Sequence, residues 1–217
     1  MKNGSMGGLH LLFEWLAKLA YLNILWLIFS LAGLVILGVG PATISVFTIV
    51  RNMLRENEYG SIWRQFYQTY RTEFWHANRL MIIVYVVFAF LYIDYTIIQT
   101  LPYSFLIDKV VFPALLLLTM LAILGASYLF AVYVHFELAF WMNIKYALVM
   151  IGLYPLSTVM MIVGLFIFSI ILSIFPAIVP FYIISAPALI IFMCANRAFD
   201  KFVQAKAYHS QKHSHES

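Results

Sequence analysis

The chain has 217 residues, of which 64% are hydrophobic and 10% charged, with a formal net charge of +4 and a mean hydropathy of +0.93. Soluble domains are about half apolar and about a quarter charged, so too few polar side chains exist here to clothe a water-facing surface. These figures exclude a disordered chain, a disulfide scaffold, a basic nucleic-acid-binding domain and most soluble enzymes, and leave an all-α, polytopic transmembrane helix bundle.

In chain order, residues 9–18 begin an amphipathic helix with Glu14 and Lys18 as an i,i+4 pair of favourable order and Trp15 as an interfacial anchor. The stretches 19–50, 80–93, 110–134 and 146–196 then hold no Asp, Glu, Lys or Arg. A helical crossing needs about 20 apolar residues, because each residue rises ~1.5 Å and the hydrocarbon core is ~30 Å thick. Continuous rather than alternating apolar runs favour helices over a barrel. Five spans are predicted, at about 19–38, 80–100, 110–134, 148–171 and 175–195. The last two form a hairpin whose turn lies where Ser and Pro cluster, near 169–176. The run is longer than a signal-peptide h-region and ends in a Gly-Pro break rather than a small-residue cleavage site, so a retained N-terminus is expected. One transmembrane domain, 1–196, is followed by a polar tail, 197–217.

Gly38, Gly40 and Pro41 break the first run. Pro41 suits the first turn of a new helix, where its missing N–H costs nothing. The segment 42–54 after it is short for a crossing and reads as a re-entrant or interfacial helix, or as a thin sixth span. Arg51 and Arg55 close it.

The basic residues set the orientation. With five spans, Lys2, Lys18 and Lys109 are the only ones of the 13 Lys and Arg residues that fall opposite the 51–79 loop. With six, Lys109 alone stays there. Either way, the positive-inside rule puts residues 51–79 and the C-terminus in the cytoplasm of a multi-pass cell-membrane protein, and leaves the side of the N-terminus open.

Residues 61–79 carry the richest pattern. Trp63, Tyr67, Tyr70 and Phe74 recur at i, i+4, i+7 and i+11 and share one helical face, which Ile62 and Phe66 widen. Arg64, Gln68, Arg71 and Thr72 occupy the rest, and Ser61 stands at the capping position. The pattern fits an interfacial helix with its aromatics in the headgroups, or a docking face for a cytoplasmic partner. Interleaved Arg and aromatic residues also occur in nucleic-acid binders, but adjacency to a span argues against that here. Residues 135–147 repeat the theme, with Phe136, Phe140 and Trp141 as anchors, while His135 and Glu137 mark the end of a span.

Asp94 is the one formally charged residue inside a candidate span. It lies 14 residues beyond Leu80, ~21 Å along the helix, in the outer third of the bilayer. It reaches the headgroups with Tyr92 and Tyr95, or it lines a pathway. Pro155, Pro176, Pro180 and Pro187 kink the later spans without any internal repeat. Cys194 reads as an inert buried thiol. His209 and His213 have chelating spacing in the tail, but a solvated tail explains them as well, and no metal or other cofactor is expected. Neither a phosphate loop nor paired-Cys, H-E-x-x-H or G-x-S-x-G motifs occur, so the expected function is not enzymatic.

The segment from Asn23 to Leu31, the Gly38-Val39-Gly40-Pro41-Ala42-Thr43 break, Arg51-Asn52-Met53-Leu54-Arg55 and the helix through Phe66, Tyr70, Phe74 and Ala77 together resemble the YesL-like (DUF624) family. Those are integral membrane proteins found mostly in Gram-positive bacteria. The chain departs from the family pattern at Ala32, where a proline is usual, and around Phe136. The resemblance supplies no catalytic residues. It implies an association with carbohydrate uptake, since members are often encoded beside carbohydrate ABC transporters. Two readings follow: an accessory protein that binds or regulates a carbohydrate ABC-transporter permease, and a small-solute transporter or channel in its own right, as a homo-oligomer.

Overall fold

The computed structural model describes residues 4–55, 60–102, 104–136 and 138–215, with side chains described between 10 and 200. All regular structure there is helical: α1 Gly4–Ala32, α2 Val39–Leu54, α3 Ile62–Thr100, α4 Phe112–His135 after a π-helical turn at Ile107–Val111, α5 Phe140–Leu153, α6 Pro155–Ile174, α7 Val179–Tyr182 after a 3-10 turn, and α8 Ser185–His215. The Glu14–Lys18 pair forms on α1 at 2.6 Å.

Four described helical segments are long and apolar enough to cross a membrane: His10–Ala32, Ile62–Thr100, Ile107–His135 and Pro155–Ile174. A fifth crossing exists only if Pro176–Tyr182 and Ser185–Asp200, which meet at 64°, count as one bent span. The five separate spans expected from hydropathy therefore become four, plus a bent, re-entrant-like element. The molecule is a multi-pass membrane protein.

Other boundaries move for local reasons. The first span ends at Ala32 rather than 38. The expected 148–171 span is two helices, because Pro155 has no N–H to donate and pushes Tyr154 out of the helical region (φ −124°, ψ 63°). Pro155 opens α6 instead of kinking it. The polar stretch 61–79 is not a separate helix in the interface. It is the first half of α3, a single element of 39 residues, ~58 Å long against a hydrocarbon core of ~30 Å. Ser61 occupies the N-cap position but makes no side-chain capping bond. Its carbonyl accepts from the Gln65 N–H instead, at 3.2 Å.

The centre of the bundle is α2. It packs against α1, α3, α4 and α8, and Ile44, Val46, Ile49 and Val50 on different sides of it are all essentially inaccessible. An interfacial helix would leave one face in water, so that reading of 42–54 is replaced by a buried central helix. At 16 residues, ~24 Å, it falls short of a crossing. Phe47 meets Phe130 of α4 at 5.8 Å between ring centres. The other fully buried large side chains include Tyr128, Phe66, Phe192 and Phe199. The Tyr128 hydroxyl is paired with Thr158 Oγ1 at 3.1 Å, so α4 and α6 share a satisfied polar contact in an otherwise apolar interior.

Candidate functional site

The turn between α1 and α2 occupies residues 33–38, upstream of most of the Gly-Pro motif. Its reversal is made by Leu34 and Val35, both left-handed at φ 58° and 62°. A β-branched residue there is strained. The Val35 N–H bonds the Ser30 carbonyl at 2.8 Å. The glycines do different work from the one their type suggests. Gly38 has an ordinary φ of −83°. A Cβ on it would fall 2.8 Å from Ser30 Cα and 2.9 Å from the Phe29 carbonyl oxygen. On Gly40 a Cβ would lie 2.6 Å from the Met81 side chain. Both let backbones and helices approach closely. Pro41 sits in the first turn of α2, as expected, and its carbonyl accepts from the buried Ser45 hydroxyl at 2.8 Å.

The aromatic face of α3 is partly covered by α1. Phe29, near the end of α1, lies between Trp63, Phe66, Tyr67 and Tyr70, with ring centres 5.0 to 6.2 Å away. The Tyr70 hydroxyl also donates to the Phe29 carbonyl at 3.1 Å. Phe74 continues the row against Tyr70 at 5.7 Å. Part of the ring surface of this row meets α1, while Trp63 and Tyr67 keep about half of theirs exposed. An adjoining side of α3 stays open. Arg64, Gln68, Arg71, Trp75 and Arg79 are all exposed.

A polar cleft of about 320 Å³ lies beside this half of α3, where α2, α3 and α4 converge. Thr48, Arg51, Thr69, Thr72, Glu73 and Tyr133 supply its polar lining. Arg51 donates to the Val134 carbonyl, and the Tyr133 hydroxyl donates to Glu73. Thr48 and Thr72 turn their hydroxyls back to the Ile44 and Gln68 carbonyls at 2.9 and 3.0 Å. Arg51 lies in the last turn of α2 and Arg55 caps it, where positive charge favours the helix dipole. Arg55 contacts His135 Nδ1 at 3.3 Å, and the His135 ring packs on Phe136 and Phe199. The structure thus gathers Arg51, Arg55, Glu73, Tyr133 and His135 at one end of the bundle. Glu73 and Tyr133 carried no sequence signal of their own. Glu137, His209, His213 and His215 fall outside the residues whose side chains are described.

Asp94 is remote from that end. It is exposed and borders two apolar grooves, one of about 540 Å³ between α3, α4 and α5 and one of about 410 Å³ between α3 and α4. Tyr95 beside it accepts from Gln99 at 2.8 Å.

Asn23 opens the segment that resembles the family, and its place in the fold is structural. It is fully buried. Its amide donates to the Pro180 carbonyl at 2.7 Å and accepts from the Ile184 and Ser185 N–H groups at 2.9 and 3.3 Å. The backbone groups freed at the α7–α8 bend are therefore satisfied by α1. Broken membrane helices often leave such groups for a ligand, but here a side chain fills the place. The lone amide in the apolar stretch 19–50 was the available signal. Among the described residues, no group of His, Cys, Asp and Glu is arranged to hold a metal ion.

Comparison with known proteins completes the picture. Residues 19–95, which hold Asn23, the turn, α2 and α3 as far as Tyr95, match the family described as "Protein of unknown function, DUF624". The chain is 30% identical over 183 residues to the uncharacterized protein YteU of Bacillus subtilis (strain 168), covering 84% of this chain and 81% of that protein. It is 30% identical over 200 residues to YesV of the same organism, covering 91% and 93%. Identity to YesL of that organism is 35% over 131 residues, 60% of each chain. No solved structure matches the chain.

Proposed function

The chain belongs to the DUF624 family of membrane proteins, and from that premise we propose that it is a non-enzymatic accessory protein that binds or regulates a carbohydrate ABC-transporter permease. The observation that carries this reading is the length of α3. A continuous helix of 39 residues is about twice as long as the hydrocarbon core is thick, so an upright α3 extends past the apolar layer. Aromatic packing on Phe29 braces its polar half at Trp63, Phe66 and Tyr70, and its outward side offers Arg64, Arg71 and Trp75, residue types that dominate protein interfaces. The positive-inside rule assigns 51–79 to the cytoplasmic side. Deletion of the gene should lower uptake of a carbohydrate substrate, and crosslinking from position 63 should recover a permease subunit. Normal uptake together with no permease adduct would refute the proposal.

A second reading rests on Asp94. A carboxylate that borders two apolar grooves on a helix of membrane-crossing length is a residue type that marks solute pathways. Asp94→Asn should then abolish flux in proteoliposomes. Unchanged flux removes this reading.

A further inference from the structure

We propose that the cleft where α2, α3 and α4 converge binds a small neutral polyhydroxyl compound of monosaccharide size. The inference is independent of the permease reading, because it rests on the hydrogen-bond inventory of the cleft itself.

The cleft holds about 320 Å³, at the small end of the ~300–1,000 Å³ typical of ligand pockets. Tyr133 and Val134 line it, and the crossing-length segment that carries them closes at His135. It therefore lies at the end of a crossing rather than within one. Most of its hydroxyl hydrogens are already committed. Thr48 donates to the Ile44 carbonyl at 2.9 Å, Thr72 to the Gln68 carbonyl at 3.0 Å, and Tyr133 to Glu73. Each of these oxygens keeps lone pairs. Glu73 accepts from Tyr133, and among the described residues it forms no ion pair, whereas a carboxylate offers about four acceptor sites. The cleft is thus rich in acceptors and short of donors. Thr69 is the exception. Its hydroxyl has no partner among the described residues, so it can both donate and accept.

Charge then selects among ligands that donate. Arg51 and Glu73 are the charged members of the lining, and they cancel. A phosphate or carboxylate would face Glu73 and the lone pairs of Thr48, Thr72 and Tyr133, all of which repel it. An ammonium group would answer Glu73, but it would bring its charge beside Arg51 and leave the Thr69 hydrogen without an acceptor. Neutral hydroxyls meet both needs, because each one donates and accepts. The ring carbons that bear them present an apolar face to Phe136 and Leu138, which complete the lining. Two sources offer this chemistry at the edge of a membrane: a free sugar and the glycerol headgroup of a lipid.

The test uses the full chain in phosphatidylcholine nanodiscs, with glucose, galactose, mannose, xylose, arabinose and rhamnose as probes, read by saturation-transfer NMR. At least one sugar should bind with a Kd of about 1 mM or tighter, and inorganic phosphate and ethanolamine should not. Glu73→Gln keeps an acceptor for Tyr133 but loses the charge, and Thr48→Val removes one oxygen at nearly the same shape. Each should weaken binding about fivefold or more. Thr119→Val is the matched control, since Thr119 bonds the Leu115 carbonyl at 2.8 Å as Thr48 bonds Ile44 but lies outside the cleft; it should bind like the parent. Melting curves that match the parent's show that the variants are folded. Binding by none of the sugars, tighter binding of phosphate or ethanolamine, or cleft variants that bind like the parent overturns the proposal. Phosphatidylglycerol nanodiscs separate the two sources: sugar binding that persists there identifies a free solute, and binding lost there identifies the headgroup glycerol as the occupant. Uptake in the deletion strain is a separate readout: normal uptake with a sugar-binding cleft removes the permease reading and leaves this one standing.

Discussion

Gly38→Ala isolates the contact that joins α1 to α2. The backbone at Gly38 has φ −83°, which alanine adopts without strain, so the effect is steric alone. The added methyl would sit 2.8 Å from Ser30 Cα and 2.9 Å from the Phe29 carbonyl oxygen, whereas unstrained carbon contacts lie at ~3.5–4.0 Å. Both partners are backbone, so no side chain can swing aside. The helices must separate by roughly an ångström, and overpacking of this kind costs about 1–3 kcal/mol. A cost near 2 kcal/mol lowers the melting temperature of a chain this size by roughly 4–8 °C. Gly152→Ala is the control. No atom lies within 4 Å of the new methyl on α5, and alanine gains up to ~1 kcal/mol in helix propensity. Thermal unfolding in detergent, followed by tryptophan fluorescence, should show the first variant melting below the parent and the second at or above it. A Gly38→Ala protein that melts with the parent would refute the close approach of the two helices.

Four further outcomes are expected. Asn23→Leu leaves the Pro180 carbonyl and the Ile184 and Ser185 N–H groups without their partner, at about 1–3 kcal/mol for each buried group so stranded; faster hydrogen exchange confined to residues 176–190 would report it. Phe29→Ala removes the ring between Trp63, Phe66 and Tyr70 and should lose about 3–5 kcal/mol, with a red-shifted Trp63 emission, and an unshifted spectrum would contradict the packing. Val35→Gly relieves a left-handed β-branched residue and should raise the melting midpoint by the equivalent of about 1 kcal/mol or more. Tyr128→Phe deletes the buried hydroxyl paired with Thr158 and should cost about 1 kcal/mol in chemical unfolding, while a gain would contradict the hydrogen bond.

Periodicity made parts of the candidate site legible. Trp63, Tyr67 and Tyr70 share a face by spacing alone, and so do Arg64, Gln68 and Arg71. What covers each face was not legible. Phe29 lies 41 residues from Tyr70, and nothing local says that it will be the partner. The α1–α2 turn was displaced for a related reason. Gly and Pro advertise a break at 38–41, but the left-handed residues are Leu34 and Val35, types that carry no turn signal. Glu73 and Tyr133 meet only because α3 and α4 converge.

The sequence by itself determined the solvent. A 10% charged fraction, concentrated outside the apolar runs, requires a helical membrane protein, because only helices satisfy backbone groups within uninterrupted apolar segments. It also located the long polar segment and the order of the elements. Tertiary structure decided which apolar runs are single helices. Hydropathy is blind to a bend inside a run that is apolar throughout, so the divisions at Tyr154 and at 183–184 emerged only with the packing. It decided too that α2 is the core and that α3 is one rod. Burial depends on which faces meet, and that is a property of distant residues brought together.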